Sequence, residues 1–234
     1  MRRVFVLGIL TALAAVVLAA DSGEAIPADG GAIQATPVMR SSVQIEYGGK
    51  VIQVDPVGKY DNVEIPFVGK FDGLKPADLI LVSDIHPNNL DLDTQEIAKI
   101  RKPGAPVVMS MAVAALAGAK IPAPTTIMTN GEMKTVAGIN IEATPMYNLL
   151  HGPKPGEVYH PKGRGNGYIL TLGGKRLYVD VFDGAYFGCA LSVAHEVQPK
   201  IVYPYHYEGQ RRDETLFRAF LKSMPVDIRI NTKG

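Results

Sequence analysis

Three predicted β-hairpins constrain the fold of this chain more than any other feature of its sequence. In each hairpin, two segments of alternating apolar and polar residues flank a dipeptide that contains glycine, which supplies the positive φ that a tight turn needs. The dipeptides are Gly48-Gly49, Ala137-Gly138 and Gly173-Gly174, and the predicted hairpins span residues 43–54, 133–143 and 168–181. These hairpins predict antiparallel sheet in three separate parts of the chain.

The segments between the hairpins complete the predicted architecture. Residues 78–82 and 200–204 each consist of one charged residue followed by a continuous apolar run, as expected of buried strands. Helical signals cover residues 94–100, 111–119 and 214–222. Hairpins interleaved with single helices predict an α/β fold of the α+β type, a four-layer αββα sandwich. A doubly wound parallel sheet is less favoured, because the hairpins would have to be accommodated at its edges.

The first twenty residues have the layout of a secretory signal peptide. Arg2 and Arg3 precede an uncharged, largely apolar run that ends in small residues at Ala20. The alternative is a permanent membrane anchor, because the run approaches the length that spans a bilayer. Its short, Ala-rich composition favours export with cleavage after Ala20. We therefore expect a periplasmic or secreted protein that keeps no stable membrane anchor.

The rest of the chain is expected to form one domain. Residues 21–34 contain Gly, Ala and Pro in the proportions of a flexible leader, and residues 35–234 are assigned to a single domain. Without the two arginines of residues 1–20, the 24 basic residues become 22 against 23 acidic ones, a net charge near −1. Such a balance gives no bulk attraction to nucleic acid. The sequence indicates no particular oligomeric state.

The segment most informative about function follows the predicted buried strand at residues 78–82. It reads Ser-Asp-Ile-His-Pro-Asn-Asn-Leu-Asp, so that Asp84 and His86 stand two residues apart and are followed by Asn88 and Asn89. Strand ends hold ligands at fixed separations, and this spacing lets two side chains reach one cation. Taken by itself, the same pattern also fits a strand followed by an Asn-rich turn.

This segment resembles the Thr-His-x-His-x-Asp-His-Leu-Asp loop of the metallo-β-lactamase superfamily, in the variant of its general metal-dependent hydrolase branch in which Asp takes the first His position. Asp84 replaces the first His, His86 is the second, Asn88 stands at the Asp and Asn89 at the last His. The resemblance continues through residues 145–148, 160–168 and 203–207, and it runs from the first hairpin to the C-terminus.

The family implies a metal site, usually of zinc, in which one or two ions polarise an ester, amide or phosphoester and generate a hydroxide nucleophile. For this chain the resemblance implies one ion, zinc or another divalent metal, with two ions as the alternative. The implied ligands are Asp84, His86, Asn89, His206 and one of Asp180 or Asp183. The connection after Asp183 is shorter than usual in the family, which implies a shortened C-terminal half.

Two of the implied catalytic and metal positions carry unusual residues. The resemblance implies that Asp84 and Asn88 occupy the catalytic positions of the loop. At position 88, however, an amide cannot accept a proton at neutral pH. Asn89 is a much poorer zinc ligand than the imidazole it replaces. Strict register places Phe182 where the family has its bridging carboxylate. Asp183 therefore needs a bulge or an end-of-strand turn to point inward, and Asp180 lies two residues early.

A glycine-rich stretch provides the candidate substrate contacts. His160, Lys162 and Arg164 are interpreted as a mobile basic loop over the site, suited to a small-molecule substrate with an anionic group. Asn148 is interpreted as lining the same pocket, because many relatives have a histidine there. The alternative is a glycine-rich turn whose charges are simply solvated.

Two functions follow from these residues. The favoured one is an exported metal-dependent hydrolase in which a single ion activates water. The alternative is a non-catalytic binding protein on the same fold, motivated by Asn88 and Asn89. An antibiotic-degrading β-lactamase ranks third, because the site departs further from that group than from the general hydrolases.

Overall fold

The computed structural model describes part of the chain, and two β-sheets pack face to face within that part. The described residues are 24–39, 41–60, 67–68, 71, 73–91, 95–148, 152–179, 199–202, 218–219 and 221–228. Helices cover the outer face of the larger sheet. The predicted α+β sandwich is therefore confirmed for its two sheets and one helical layer. Most of the third predicted helix, at residues 214–222, lies outside the described residues.

The larger sheet has seven strands. In spatial order they are β1 (Glu24–Ala28), β2 (Gly31–Met39), β3 (Ser42–Tyr47), β4 (Lys50–Val54), β7 (Leu79–Val82), β8 (Val107–Ser110) and β9 (Thr125–Met128). The first four strands pair antiparallel, whereas β4, β7, β8 and β9 pair parallel. Because parallel strands end at a common edge, the residues that follow β4 and β7 come together there.

In the described part of the chain, the smaller sheet has four strands, all antiparallel. They are β10 (Met133–Val136), β11 (Ile139–Met146), β12 (Gly165–Leu172) and β13 (Lys175–Val179). Two short ribbons lie outside both sheets, β5 (Lys59–Tyr60) with β6 (Phe67–Val68) and β14 (Ile201–Val202) with β15 (Asp227–Ile228).

Two helices lie wholly within the described residues, and both are short. They are α1 (Gln95–Ile100) and α2 (Met111–Ala117), and a 3₁₀ turn at Gly118–Lys120 follows α2 directly. The Ser110 side chain accepts a hydrogen bond from the Val113 backbone N–H, which caps α2 at its N-terminus. No helix in the described ranges has the length and hydrophobicity needed to cross a bilayer.

The three predicted hairpins are confirmed, with their turns where the glycines placed them. Tyr47 pairs with Lys50, Val136 with Ile139, and Leu172 with Lys175. Each turn dipeptide adopts positive φ at both positions, including 52° at the non-glycine Ala137. The buried strand predicted at residues 78–82 is confirmed as β7.

The predicted flexible leader at residues 21–34 is wrong from Glu24 onward. These residues form the hairpin of β1 and β2, in which Ala28 pairs with Gly31 across the turn at Asp29 and Gly30. An Asp-Gly dipeptide is a strong hairpin signal, and the surrounding Gly and Ala content concealed it. The hairpin packs on the rest of the fold because Ile33 of β2 is fully buried in the core.

The core has two parts, one on each face of the larger sheet. Alternate residues of β7 serve the two faces, so that Leu79 and Leu81 pack between the sheets while Ile80 and Val82 pack under the helices. Tyr168 of β12 crosses the inter-sheet core, fully buried, and its hydroxyl donates to the Val82 carbonyl oxygen at 2.9 Å. Burial raises the pKa of Tyr168, which keeps this hydroxyl protonated as a donor.

Replacing Tyr168 with Phe is expected to lower the free energy of unfolding by about 1 kcal/mol, because it removes one buried hydrogen bond and little packing. Urea unfolding at neutral pH measures the change. The slope of the free energy against urea should stay unchanged, since the surface exposed on unfolding is the same. Unaltered stability would mean that the hydroxyl contributes nothing to joining the sheets.

Candidate functional site

Buried polar side chains concentrate at the edge of the larger sheet where β4 and β7 end. The members of this group that the site involves are Asp55, Ser83, Asp84, Asn88, Asn89, Asn148 and His160. The smaller sheet reaches the same place through the start of β12, where the Asn166 N–H donates to the Ser83 carbonyl oxygen at 2.9 Å. The site therefore lies where the C-terminal ends of β4 and β7 meet the start of β12.

Gly165 permits the close approach of the two sheets at this point. A Cβ atom there would lie 2.6 Å from the Met146 Cε and 3.3 Å from the Asp84 Cβ. A side chain there would have to displace the Met146 methyl and would press on the Asp84 Cβ and the Ser83 carbonyl oxygen, so glycine suits this position best. The glycine-rich stretch thus has a structural cause beyond turn flexibility.

Asp84 is fully buried, and both of its carboxylate oxygens bind Arg164. The Arg164 Nε donates to Oδ1 at 2.9 Å and its Nη2 donates to Oδ2 at 2.6 Å. The Ile85 backbone N–H also donates to Oδ1, at 2.7 Å. A bidentate guanidinium–carboxylate pair is among the strongest charge-assisted contacts in proteins.

The two imidazoles of the site are held by amide oxygens. The His86 Nδ1 lies 2.5 Å from the Asn88 Oδ1, and the His160 Nδ1 lies 2.8 Å from the Asn148 Oδ1. Because an amide oxygen only accepts, these contacts assign the hydrogen to Nδ1 and leave Nε2 as the basic nitrogen of each ring. The ring centroids lie 5.0 Å apart, and the His160 Nε2 lies 3.4 Å from the Asp84 Oδ2.

Asn89 faces Asp55, a residue that the sequence analysis did not select. The Asn89 Nδ2 donates to the Asp55 Oδ2 at 2.9 Å, and Asp55 also accepts from the Ser83 N–H at 2.8 Å and the Ser83 Oγ at 2.6 Å. Asp55 directly follows β4 and has a φ of 42°. The available signal was a carboxylate directly after a predicted strand and before Pro56.

Burial raises the pKa of Asp55 to about 7, although the hydrogen bonds from Ser83 and Asn89 act in the opposite direction. The carboxylate of Asp84 raises it slightly further. Asp55 therefore changes protonation near neutral pH inside the folded protein.

The residues predicted to contact a substrate differ from one another in their surroundings. His160 is buried, and Arg164, whose side chain is 25% exposed, binds Asp84, so neither is simply a solvated side chain of a loop. Lys162 is exposed, with its Nζ 5.3 Å from the centroid of the Tyr147 ring. Asn148 is buried and holds His160. A role of these residues in binding a substrate stays a prediction.

The described residues do not fit a metal ion. Among them, no group of three or more His, Cys, Asp or Glu side chains is arranged to hold one. Asp84 already uses both oxygens on Arg164, and the Asn89 amide nitrogen is turned toward Asp55. Asp180, Asp183 and His206, which the resemblance implied as ligands, lie outside the described residues.

Solved structures share this architecture. A candidate metal-dependent hydrolase from Parabacteroides distasonis is 26% identical with a TM-score of 0.71, over 90% of this chain and 98% of that chain. Igni18, a metallo hydrolase from the archaeon Ignicoccus hospitalis, is 18% identical with a TM-score of 0.62, over 86% and 96%. The metallo-β-lactamase fold protein YhfI from Bacillus subtilis is 12% identical with a TM-score of 0.54, over 91% and 94%.

No protein-family model matches the chain, and no curated protein matches it significantly.

Proposed function

We propose that this chain, which has the metallo-β-lactamase fold seen in metal-dependent hydrolases, is a non-catalytic binding protein that has kept the fold without a working metal centre. The sequence favoured a single-ion hydrolase. The hydrogen bonding of Asn88 and Asn89 supports the other hypothesis, because both amides serve as structural partners inside the cluster.

The roles of Asn88 and Asn89 carry this proposal. Asn88 uses its Oδ1 to accept from the His86 Nδ1, and a neutral amide there cannot take a proton from water. Asn89 donates its Nδ2 to Asp55, with the Ser83 Oγ at 3.0 Å from the same nitrogen. Both positions that would supply a base and a strong ligand therefore supply a neutral hydrogen-bonding group instead.

The rim of the site supplies the groups that a bound molecule would meet. Tyr159 packs edge-on against His86 with the ring centroids 5.8 Å apart, and Lys162 stands beside Tyr147. Aromatic rings next to an ammonium group suit a small molecule with an anionic group, since the rings offer apolar area and the lysine offers charge. We take such a molecule as the ligand class.

A single-ion hydrolase is the second candidate, and one observation favours it. Both imidazoles have Nδ1 fixed by an amide oxygen, which is the way that metal-binding histidines are commonly oriented so that Nε2 faces the ion. With His206 and one of Asp180 or Asp183, these nitrogens would complete a donor set for one zinc ion.

Hydrolysis assays on the exported protein separate the two candidates. We expect the mature chain, recovered from the periplasmic or secreted fraction, to begin at Asp21 by mass spectrometry. With ester, amide and phosphoester substrates, we expect no turnover above buffer, whether or not Zn²⁺, Mn²⁺ or Fe²⁺ is added. Metal-dependent turnover that disappears in Asp84→Asn would reject the non-catalytic proposal and establish the second candidate.

A further inference from the structure

The charge of Asp84 is compensated from within the protein. Asp84 is fully buried, and removing a carboxylate from water costs several kcal/mol unless a positive charge lies against it. In metal sites of acidic ligands the ion supplies that charge. Here the two hydrogen bonds from the Arg164 guanidinium, at 2.9 and 2.6 Å, supply it.

Arg164 is held in place by more than this ion pair. Its Nη2 also donates to the Tyr159 carbonyl oxygen. The next residue, Gly165, packs closely against Asp84, since an added Cβ would lie 3.3 Å from the Asp84 Cβ, and Asn166 binds the Ser83 carbonyl oxygen through its backbone. Residues 164–166 are therefore docked on residues 83–84, and the guanidinium is positioned by the fold.

Carboxylate and imidazole groups, the kinds that bind divalent ions, lie near the guanidinium, although among the described residues they are not arranged to hold an ion. The His160 Nε2 lies 3.4 Å from the Asp84 Oδ2, and the His86 ring lies 5.0 Å from the His160 ring between centroids. Both rings keep Nε2 as the basic nitrogen, as derived above. The His160 imidazole thus lies beside the Asp84 carboxylate that Arg164 binds, and the His86 imidazole lies next to His160.

We infer that the Arg164 guanidinium is the resident cation of this site and takes the place of a divalent metal beside Asp84, His86 and His160. The inference rests on the proposed function, because it explains how the acidic position survives without a metal centre. It assigns Arg164 a structural role that its place in a basic, glycine-rich stretch does not suggest. Removing the guanidinium should open the site to a divalent ion.

Thermal unfolding of the full mature chain with EDTA, ZnCl2 or MnCl2 tests this inference. The Tm of the unaltered protein should change with none of them. Arg164→Ala in EDTA should lower Tm by roughly 10 °C, because it leaves a buried charge uncompensated. Added Zn²⁺ or Mn²⁺ should recover at least half of that loss and should bind in isothermal titration calorimetry. Recovery should vanish in the double variant Arg164→Ala with Asp84→Asn, which lacks the carboxylate.

Arg176→Ala is the matched control. Arg176 also pairs with a carboxylate at 2.6 Å, but Arg176 and Glu142 are 64% and 35% exposed. Loss of this surface pair should shift Tm by no more than about 2 °C and should create no response to metal. Arg164→Lys keeps the charge without the two-pronged geometry, so its Tm should fall between those of the unaltered protein and Arg164→Ala. This variant keeps the test decisive if Arg164→Ala does not fold.

Three results would overturn the inference. They are a fall in the Tm of the unaltered protein in EDTA, a loss in Arg164→Ala no larger than in Arg176→Ala, and a destabilised Arg164→Ala that takes up no metal. Hydrolysis by the unaltered protein would instead reject the proposed function, so the two failures are distinguishable. If Arg164→Ala cannot be obtained, an Arg164→Lys variant as stable as the unaltered protein would also overturn the inference.

Discussion

Replacing Asn88 with Asp and Asn89 with His together is expected to create a site that binds Zn²⁺ at micromolar or lower concentration, roughly a thousandfold tighter than in the unaltered protein. A carboxylate at position 88 would lie against the His86 Nδ1, where the Asn88 Oδ1 now lies at 2.5 Å. An imidazole at position 89 would meet the Asp55 carboxylate, which already accepts from the Asn89 Nδ2 at 2.9 Å. Asp55 would then fix that ring with its other nitrogen available to the ion.

Isothermal titration calorimetry with Zn²⁺ measures this gain, and Tm measures it independently. At a zinc concentration a hundred times the Kd, binding adds about 2.7 kcal/mol to the free energy of unfolding. For a chain of this length such a gain raises Tm by roughly 5–10 °C.

The single variants and Arg164 provide the controls for this gain. Asn88→Asp and Asn89→His alone should each bind Zn²⁺ more weakly than the double variant, because each adds only one ligand. Adding Arg164→Ala to the double variant should tighten binding further, because it releases the Asp84 carboxylate from the guanidinium. Equal Zn²⁺ binding by the double variant and the unaltered protein would show that the two asparagines are not what separates this site from a metal centre.

Replacing Asp55 with Asn is expected to change how stability depends on pH. Burial raises the pKa of Asp55 from 3.8 to about 7 in the folded protein, so the folded state binds a proton that the unfolded state releases between these values. The contribution of this group to the free energy of unfolding is therefore fully present below about pH 4 and falls as pH rises, by up to about 1.4 kcal/mol per unit, until pH passes about 7. Asn does not titrate, so the stability of Asp55→Asn should lack this fall.

The difference in free energy of unfolding between the unaltered protein and Asp55→Asn isolates this effect, and urea unfolding between pH 4.5 and 8 measures it. As pH rises to about 7, the free energy of unfolding of the unaltered protein should fall steadily relative to that of Asp55→Asn. Above about pH 7 the difference should be constant. A difference that stays constant across this range, or that shifts the other way, would contradict the buried, protonated state of Asp55.

Asp78→Asn is a control in which stability should depend on pH in the opposite direction, because the folded pKa of Asp78 is lowered and that of Asp55 is raised. Burial raises the pKa of Asp78, but the hydrogen bonds from the Lys102 Nζ at 2.8 Å and the Val51 N–H at 2.9 Å outweigh it, so the pKa is lowered overall. This carboxylate stabilises the fold above its unfolded pKa and loses that contribution as pH falls through its folded pKa. The free energy of unfolding of the unaltered protein should therefore exceed that of Asp78→Asn by a constant amount from pH 5 to 8. This excess should shrink in more acidic solution.

Local turn chemistry explains why so much of the fold was predictable. Each hairpin is specified by two adjacent residues, such as Gly48 and Gly49, and by the alternation beside them. The same rule applied to Asp29 and Gly30 would have found the first hairpin, but the Gly and Ala content of the surrounding segment suggested a leader. That error came from giving composition more weight than a specific dipeptide.

The site was harder to predict because its contacts join distant parts of the chain. Asp84 and His86 follow one strand and could be selected from local spacing. Arg164 binds Asp84 across 80 residues, and Asn89 binds Asp55 across 34, so that no local pattern contains either pair. Asp55 reaches the cluster only because β4 and β7 pair in parallel and end at one edge. Such contacts follow from the packing of the two sheets, which a single sequence does not display.

The metal content of the protein, purified without chelators and measured by inductively coupled plasma mass spectrometry, tests most directly whether amides and an arginine have replaced a metal centre. The account predicts that zinc, manganese and iron are no higher in the dialysed protein than in its buffer. One ion bound per chain after dialysis, and lost from Asp84→Asn, would contradict it.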